Sequence, residues 1–569
     1  MPLELPDPLP ANLGDHVRGV YRRHFAHELA LGTVKPLVVP YGVLTTFGLP
    51  ILYFSVPHRN RPWLFKARYL VMLYIFLYNL RETFVTTSPN FALGYAVGLM
   101  QAWGLIWNMT LLVFMRPQFD AERVDRRRAR PTVDAQAGVD GSTNGYARTS
   151  DTKENVRPVH SGDAHVATRV HGGSKTPVPA GSPRGTEGGE AVDAPDGDIA
   201  KSLAQGYEYY WQSYPEDAPF LTRLEWSFDL VTSFRGTGWN WSIPVVPRFS
   251  KPDKPHSGSL VDLGSIPAST PQGYRRHTTR RSWIRSELGP FVAGSLVLDA
   301  LSVLMMKDPY FILGPEYTDS DTPIPLPPLL AALGPWQLFL CRSLLGSAGV
   351  LAAISVVMKL WQLTCAFTLR PLLGSRAELW HYPTLFGGFT HNVLDRGLAG
   401  FWGGWWHQTF RVAFAAPAAW LAGPGRRPGK AAAGFFAFAQ SGLLHALGSA
   451  SCLPPSRPWA PPVFFMLSWA GILLQSTACG AARPATRALP RWATRAGNLA
   501  FVFLWLGATQ SWMLDDLARS GIWLLEPVPV SLFRALGLGA PGDHWWRWTW
   551  EELPRLHAGA HWWDSGIAL

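Results

Sequence analysis

Two histidines stand out because each lies in an aromatic or apolar segment. His407 lies within FWGGWWHQTFR, which runs from Phe401 to Arg411. His445 lies within QSGLLHALG, inside the otherwise apolar run from Ala431 to Ala450. An ionisable side chain at membrane depth is costly and usually faces a cavity or a partner. Because burial disfavours the charged imidazolium, we expect a neutral His445 that can act as a general base.

A buried histidine also has a purely structural interpretation, which is a hydrogen bond to a carbonyl of a neighbouring helix. The second histidine, His407, lies in an aromatic setting and favours a functional site over this interpretation. Ser441 lies close to His445 but lacks the G-x-S-x-G turn of serine hydrolases, so we do not expect a nucleophilic serine.

A metal site is a weaker hypothesis. His557 and His561 have the spacing of a metal-binding pair on a helix. They lie in a short, Trp-rich terminal segment, so we expect no metal. The four cysteines lie in apolar surroundings and outside C-x-x-C pairs, which argues against a zinc site or a disulfide framework.

Membrane helices must position these residues, because the composition is that of a membrane protein. Of the 569 residues, 47% are hydrophobic and only 16% are charged, whereas soluble chains carry about 25% charged residues. We expect an all-α, polytopic bundle of about eight to ten transmembrane helices, each with roughly 20 apolar residues. The candidate spans are Pro36–Val56, Tyr69–Val85, Phe91–Met115, Leu288–Met306, Leu326–Leu340, Ser343–Leu369, Ala431–Ala450, Pro461–Cys479, Leu499–Leu514 and Gly521–Leu536.

Composition divides the chain into four regions. Residues 1–115 hold the N-terminal membrane helices, 206–540 the membrane core, and 541–569 a Trp-rich interfacial tail. We expect residues 116–205 to form a disordered insertion, because most of this stretch lacks large apolar side chains and cannot offset its chain entropy. Arginines at its start favour a cytosolic location.

The net charge of +11 is compatible with nucleic-acid binding. Many of the basic residues lie beside apolar segments, however, as they do at the cytoplasmic ends of membrane helices. We therefore expect a lipid bilayer as a partner and no nucleic acid.

The two histidine segments together resemble the wax synthase-like branch of the membrane-bound O-acyltransferase family, which includes fungal secondary-metabolite acetyltransferases. The family pattern is F-W-G-x-x-W-H-Q-x-F-R, followed by a later S-G-x-x-H helix. This chain matches it from Phe401 to Arg411 and again from Ser441 to His445. The upstream RGTGWNW, from Arg235 to Trp241, resembles a further block of the fungal members. Where the family often has basic residues, this chain has Gly404 and Trp405.

The resemblance implies an MBOAT-like bundle in the endoplasmic reticulum membrane and transfer of an acyl group to a hydroxyl. The fungal branch favours acetyl-CoA and a lipophilic secondary metabolite, such as a terpenoid or meroterpenoid alcohol. At the family's catalytic position, His445 accepts the hydroxyl proton. His407 then supplies an oxyanion donor or orients the thioester. No cofactor is bound, and acetyl-CoA or another acyl-CoA is a cosubstrate.

Residues beside the two histidines are candidates for substrate or coenzyme A binding. Arg411 suits a phosphate or a carboxylate, or is a charge at a membrane flank, and the tryptophans shape a tunnel. His381, in a loop before the first motif, either is a loop polar group or lines the tunnel entrance. The binding candidates are Trp402, Trp406, Gln408, Arg411 and Ser441.

Three other functions fit parts of the sequence. A long-chain wax ester or sterol ester synthase would use the same chemistry in a deeper tunnel. A membrane transporter would carry charged residues at the midplane of several helices and repeated halves, whereas this chain shows one such histidine and no repeat. A non-catalytic scaffold would not need both histidines in matching motifs.

Overall fold

The computed structural model describes residues 5–129, 197–251, 257–319, 324–550 and 553–569. Its framework is a set of long helices connected by turns and short strands. The main helices are α1 (Leu13–Leu31), α2 (Tyr41–Ser55), α3 (Pro62–Val85), α4 (Phe91–Phe114), α5 (Gly197–Ala204), α6 (Phe220–Thr232), α7 (Arg280–Met305), α8 (Pro335–Thr368), α9 (Arg411–Ala422), α10 (Lys430–Ala450), α11 (Ala460–Thr486), α12 (Arg491–Thr509) and α13 (Ser511–Arg519). The strands are β1 (Lys35–Pro36), β2 (Val38–Val39), β3 (Thr86–Thr87), β4 (Arg123–Arg128), β5 (Tyr207–Gln212), β6 (Arg555–His557) and β7 (Gly566–Ala568).

Five of the described helices, α4, α7, α8, α10 and α11, are long and apolar enough to cross a membrane. They confirm the predicted all-α, multi-pass membrane class, although they are fewer than the predicted range of about eight to ten. Two predicted spans are wrong, because prolines interrupt them. Leu326–Leu340 contains only the helix Pro328–Ala331 before α8 begins, and Gly521–Leu536 contains only Ile522–Leu524 and Leu532–Ala535.

Helix α4 is the most buried of the apolar helices and packs closely against α10. A Cβ atom on Gly98 of α4 would lie 1.8 Å from the carbonyl oxygen of Leu447, so this position admits only glycine. The Ser451 hydroxyl accepts a hydrogen bond from the Gly98 amide (2.9 Å) and donates one to the Gly94 carbonyl (2.7 Å). Small residues and polar groups of this kind let membrane helices approach closely.

The segment that carries the first histidine motif is irregular. Two π-helical turns, Thr390–Leu394 and Phe401–Trp405, flank the α-helical turns of Asp395–Gly400. A Cβ atom on Gly404 would lie 2.1 Å from Oδ1 of Asn392. The close approach therefore explains a glycine where the family often has a basic residue. Turns with π-helical geometry are often found at functional sites.

Both ends of the predicted insertion, 116–205, contain regular secondary structure where disorder is predicted. Strand β4 pairs with β5, and α5 follows the gap in the described residues. Arg123 of β4 is buried and forms ion pairs with Glu225 (2.5 Å) and Asp229 (3.0 Å) of α6. The central part of the predicted insertion, residues 130–196, lies outside the described residues.

The predicted Trp-rich tail is tied to the N-terminal part of the chain. Strand β7 pairs with β2 in antiparallel register, with Val38 opposite Ala568. Arg547 is buried and forms ion pairs with Asp543 (3.1 Å) and Glu526 (2.8 Å). Residues 541–569, as far as they are described, are therefore joined to the rest of the fold by strand pairing and ion pairs.

Candidate active site

A cavity of about 2050 Å³ has both histidines in its wall. Side chains of α4, α8, α10, α11 and α12 contribute to this wall, as do the irregular turns before α9. Pockets for small molecules usually measure about 300–1,000 Å³. The cavity is therefore large enough for a bulky ligand together with a second molecule.

His445 lies on α10, and residues of two other helices fix its ring. The ring stacks on Phe465 of α11, with a centroid distance of 5.1 Å and an interplanar angle of 17°. Its Nδ1 atom lies 3.1 Å from the hydroxyl of Tyr95 on α4. No described residue hydrogen-bonds to Nε2, and the ring lines the cavity. An unprotonated Nε2 can accept a proton from a ligand in this position.

His407 lies in the connection between the π-helical turn Phe401–Trp405 and α9. Its ring packs against Trp406 (5.3 Å) and Phe410 (5.7 Å). Its Nδ1 atom is buried and has no hydrogen-bond partner among the described residues. An unpaired buried polar atom is costly, so a ligand that pairs with it gains free energy.

Gln408 and Arg411 brace the segment that carries His407. The Gln408 amide donates hydrogen bonds to the carbonyls of Trp402 (2.8 Å) and Trp406 (2.7 Å). Arg411 donates to the Gln408 side-chain oxygen (2.8 Å) and to the Gly403 carbonyl (2.8 Å). Sequence alone predicts both as ligand-binding residues, whereas these contacts hold the protein's own backbone. Both side chains nevertheless contribute to the cavity wall.

The predicted tryptophans and Ser441 also line the cavity. The Trp402 ring packs on Phe465 (6.0 Å), the same ring on which His445 stacks. Its Nε1 atom is buried and unpaired among the described residues. Ser441 lies one turn before His445 on α10, so both side chains are on the same helix face.

One part of the cavity wall is charged, and we call it the charged wall: Asp229, Arg235, Arg376 and His381. Arg376 forms an ion pair with Asp229 (3.4 Å). Burial acts to raise the pKa of Asp229, but Arg123 and Arg376 outweigh it and hold this pKa below its ordinary value. Burial lowers the pKa of His381 to about 3, so its ring is neutral.

Arg235 belongs to the upstream RGTGWNW block. It donates hydrogen bonds to the carbonyls of Pro383 (3.1 Å) and Thr384 (3.0 Å), while its Nε atom has no partner among the described residues. The charged wall therefore contains a buried guanidinium N–H group that has no partner among the described residues.

Another part of the wall is apolar, and we call it the apolar wall: Leu344 and Leu351 of α8, with Val502 and Phe503 of α12. Helix α8 has only 22% of its most apolar window buried within the protein, compared with 72% for α4. The cavity thus combines charged and lipophilic surfaces.

Sequence reasoning missed Tyr95 and Phe465, the two residues that contact the His445 ring. Neither lies in a charged or motif-like segment. Their role depends on how α4, α10 and α11 pack together, although the small residues Gly94 and Gly98 beside Tyr95 signal a close helix contact.

The weaker metal hypothesis is not supported by geometry, since His557 lies in strand β6 and His561 lies beyond it. Within the described ranges, no three His, Cys, Asp or Glu side chains come together as metal ligands. His381 lines the cavity, which agrees with the second of its two sequence-based interpretations, a position in the wall of the tunnel.

Comparison with known proteins identifies the segment that holds both histidines. Residues 382–467 match a family model described as the membrane bound O-acyl transferase family. The acetyltransferase ple2 of Rhodocybe pseudopiperita is 25% identical over 243 residues, which cover 41% of this chain and 50% of that protein. The acetyltransferase AOL_s00215g273 of Arthrobotrys oligospora is 24% identical over 341 residues, which cover 54% of this chain and 62% of that protein.

The matched region thus spans about half to three fifths of the length of these curated relatives. No solved structure is significantly similar to this chain. The predicted resemblance is confirmed: the segment that carries His407 and His445 is similar to the membrane-bound O-acyltransferase family, and the chain is similar to fungal acetyltransferases.

Proposed function

We propose that this protein is an acyl-CoA-dependent O-acyltransferase of the endoplasmic reticulum membrane. It moves an acetyl group from acetyl-CoA to a hydroxyl of a lipophilic secondary metabolite, such as a terpenoid or meroterpenoid. The observation that supports this most directly is the shared cavity, in which Nε2 of His445 and Nδ1 of His407 are both free of partners among the described residues.

In this proposal, Nε2 of His445 takes the proton of the acceptor hydroxyl as its oxygen attacks the thioester carbonyl. The carbonyl oxygen becomes an oxyanion, and an Nδ1–H group of His407 donates a hydrogen bond to it. The tetrahedral intermediate collapses to the ester, and the coenzyme A sulfur takes the proton back from the His445 imidazolium. No covalent enzyme intermediate is required, because the thioester is already activated.

The two walls of the cavity suit the two substrates. The charged wall, with the unpaired Nε of Arg235, suits the phosphates of coenzyme A. The apolar wall and the volume of about 2050 Å³ suit a polycyclic or otherwise bulky acceptor. The names of the two fungal relatives support acetyl as the transferred group.

A long-chain wax ester or sterol ester synthase is the second candidate. The same volume and the same apolar wall can accommodate a long acyl chain in place of a bulky acceptor. The two candidates differ in which acyl-CoA is used, so a single assay separates them.

The test uses membranes that contain the full chain, incubated with radiolabelled acetyl-CoA or palmitoyl-CoA. The acceptors are lipophilic alcohols extracted from the source organism after its gene for this protein has been deleted. We expect labelled acetyl esters with the wild-type protein and almost none with His445→Ala at equal membrane level. Labelled palmitoyl esters alone would favour the second candidate. Acetyl transfer at the same rate by both proteins would contradict the proposed base.

A further inference from the structure

The contact between Tyr95 and His445 joins a helix outside the matched family segment to the proposed base. Tyr95 is only 3% exposed, and its hydroxyl lies 3.1 Å from Nδ1 of His445. The same hydroxyl lies 3.4 Å from the backbone carbonyl oxygen of His445. Among the described residues these are its two hydrogen-bonding partners.

The number of available protons limits how this contact can be made. A tyrosine hydroxyl has one proton to donate and two lone pairs that accept. A backbone carbonyl can only accept, but the 3.4 Å contact is long for an O–H···O hydrogen bond, so the hydroxyl either accepts from Nδ1 or donates to it, according to the tautomer. When the hydroxyl accepts, the neutral imidazole carries its proton on Nδ1, and Nε2 has a free lone pair.

The proposed reaction requires the same arrangement. Nε2 has no hydrogen-bonding partner among the described residues and must be unprotonated if it is to accept a proton from the acceptor. The ring proton must then be on Nδ1, where a buried N–H group needs an acceptor. The Tyr95 hydroxyl is the side-chain group within hydrogen-bonding distance of that nitrogen.

We propose that Tyr95 is a positioning residue that fixes the proton of neutral His445 on Nδ1, leaving Nε2 as the base. This inference rests on the proposed function, because it assigns a role within the same reaction. Tyr95 does not touch the reacting atoms; it acts through the tautomer and the orientation of the ring.

Close helix packing holds the tyrosine ring in place. A Cβ atom on Gly448, three residues after His445, would lie 2.8 Å from Cε1 of Tyr95. Gly98, on the next turn after Tyr95, is in equally close contact with α10. A phenylalanine at position 95 retains this packing and removes only the hydroxyl, so Tyr95→Phe isolates the hydrogen bond.

The direct test is ¹⁵N solid-state NMR of the full chain in lipid with labelled histidine. His445→Gln identifies the His445 signals by difference. We expect the proton on Nδ1 in the wild-type protein and a shift of population toward the Nε2–H tautomer in Tyr95→Phe. A wild-type proton on Nε2, or a tautomer unchanged in Tyr95→Phe, would overturn the proposal whether or not the acyl-transfer assay succeeds.

Kinetics supply the second measurement. We expect Tyr95→Phe to lower kcat by roughly 2- to 12-fold, the equivalent of one neutral hydrogen bond, with KM for acyl-CoA unchanged. Tyr53→Phe is the matched control, because Tyr53 is also buried and its hydroxyl donates to the Leu64 carbonyl (2.8 Å) away from the cavity. An unchanged kcat in Tyr95→Phe, beside an inactive His445→Ala, would refute the role of Tyr95 alone. A fully active His445→Ala would instead refute the proposed function.

Discussion

The two histidines are held in different ways. His445 is fixed by residues from other helices, with Tyr95 on one side and Phe465 beneath the ring. His407 is held by its own sequence neighbourhood, where Gln408 and Arg411 bind the backbone of the preceding turn. The difference teaches that the position of His445 depends on helix packing, whereas the position of His407 depends on a few local hydrogen bonds. Substitutions at the two supports therefore have different expected signatures.

The largest expected effect is that of removing the proposed base. His445→Ala should lower kcat by about 10²- to 10⁴-fold, the usual contribution of general-base catalysis. The membrane level should be retained, because alanine is a strong helix former. Turnover is measured in membranes at matched expression. His391→Ala is the control, since this histidine is 51% exposed at its side chain and should leave kcat unchanged.

The next largest effect is that of removing His407, the proposed hydrogen-bond donor to the oxyanion. His407→Ala should lower kcat by about 10²- to 10³-fold if His407 stabilises the oxyanion. His407→Asn should retain more activity than His407→Ala, because an amide can still donate a hydrogen bond. Turnover of the Ala, Asn and Leu variants at equal expression decides the point. If turnover of the three variants instead follows side-chain volume, so that His407→Leu is tolerated, the His407 side chain only packs against Trp406.

The helix contact that supports His445 is tested at Gly98. Gly98→Ala places a methyl group against the Leu447 carbonyl, and such overpacking costs about 1–3 kcal/mol. We expect a lower Tm in detergent and a lower kcat, since Tyr95 and His445 move apart. Gly497→Ala is the matched control, because a Cβ atom there meets nothing within 4 Å. Equal Tm and kcat for both variants would contradict the close contact.

The local support of His407 is tested at Gln408. Gln408→Leu removes the amide bonds to the Trp402 and Trp406 carbonyls, and unpaired buried groups cost about 1–3 kcal/mol. We expect a lower Tm and a lower kcat. In a protein that already carries His407→Ala, Gln408→Leu should not lower kcat further, because the side chain that it supports is gone. A double-mutant cycle of kcat measures this dependence. Gln205→Leu, at an exposed glutamine for which the described residues provide no side-chain hydrogen bond, should change neither quantity.

The smallest effect is expected at Ser441. It lines the cavity, but no reaction step is assigned to its hydroxyl. Ser441→Ala should leave kcat within about twofold of the wild-type value, a free-energy change of no more than about 0.5 kcal/mol, because the proposed transfer uses no serine hydroxyl. A loss as large as that of His445→Ala, together with an acyl-enzyme trapped on Ser441, would replace the direct transfer with a covalent route.

Local sequence patterns reveal the histidines but not their supports. An ionisable residue within an apolar helix is visible in the sequence, so His445 and the segment around His407 are predictable. Tyr95 is not, because its contact arises only when α4 and α10 meet at Gly98 and Gly448. Gln408 is predictable as polar and close to the site. Its hydrogen bonds to the Trp402 and Trp406 carbonyls depend on the π-helical turn, and no residue pattern predicts this turn.

The ends of the predicted insertion show the same limit. Composition assigns Arg123 to a disordered, cytoplasmic stretch because few apolar residues surround it in sequence. The structure buries this arginine against Glu225 and Asp229 of α6. Both carboxylates lie more than a hundred positions away in the sequence. A long-range ion pair of this kind leaves no trace in local composition.

Several residues of α8 that line the cavity are also strongly exposed, among them Trp336 (72%) and Leu344 (57%), and little of this helix is buried within the protein. In the proposed function, an acceptor dissolved in the bilayer enters the cavity past this helix without passing through water. Its effective concentration is then its mole fraction in the lipid, not its amount per volume of buffer. The apparent KM for the acceptor should rise in proportion as inert lipid is added, while KM for acyl-CoA stays constant.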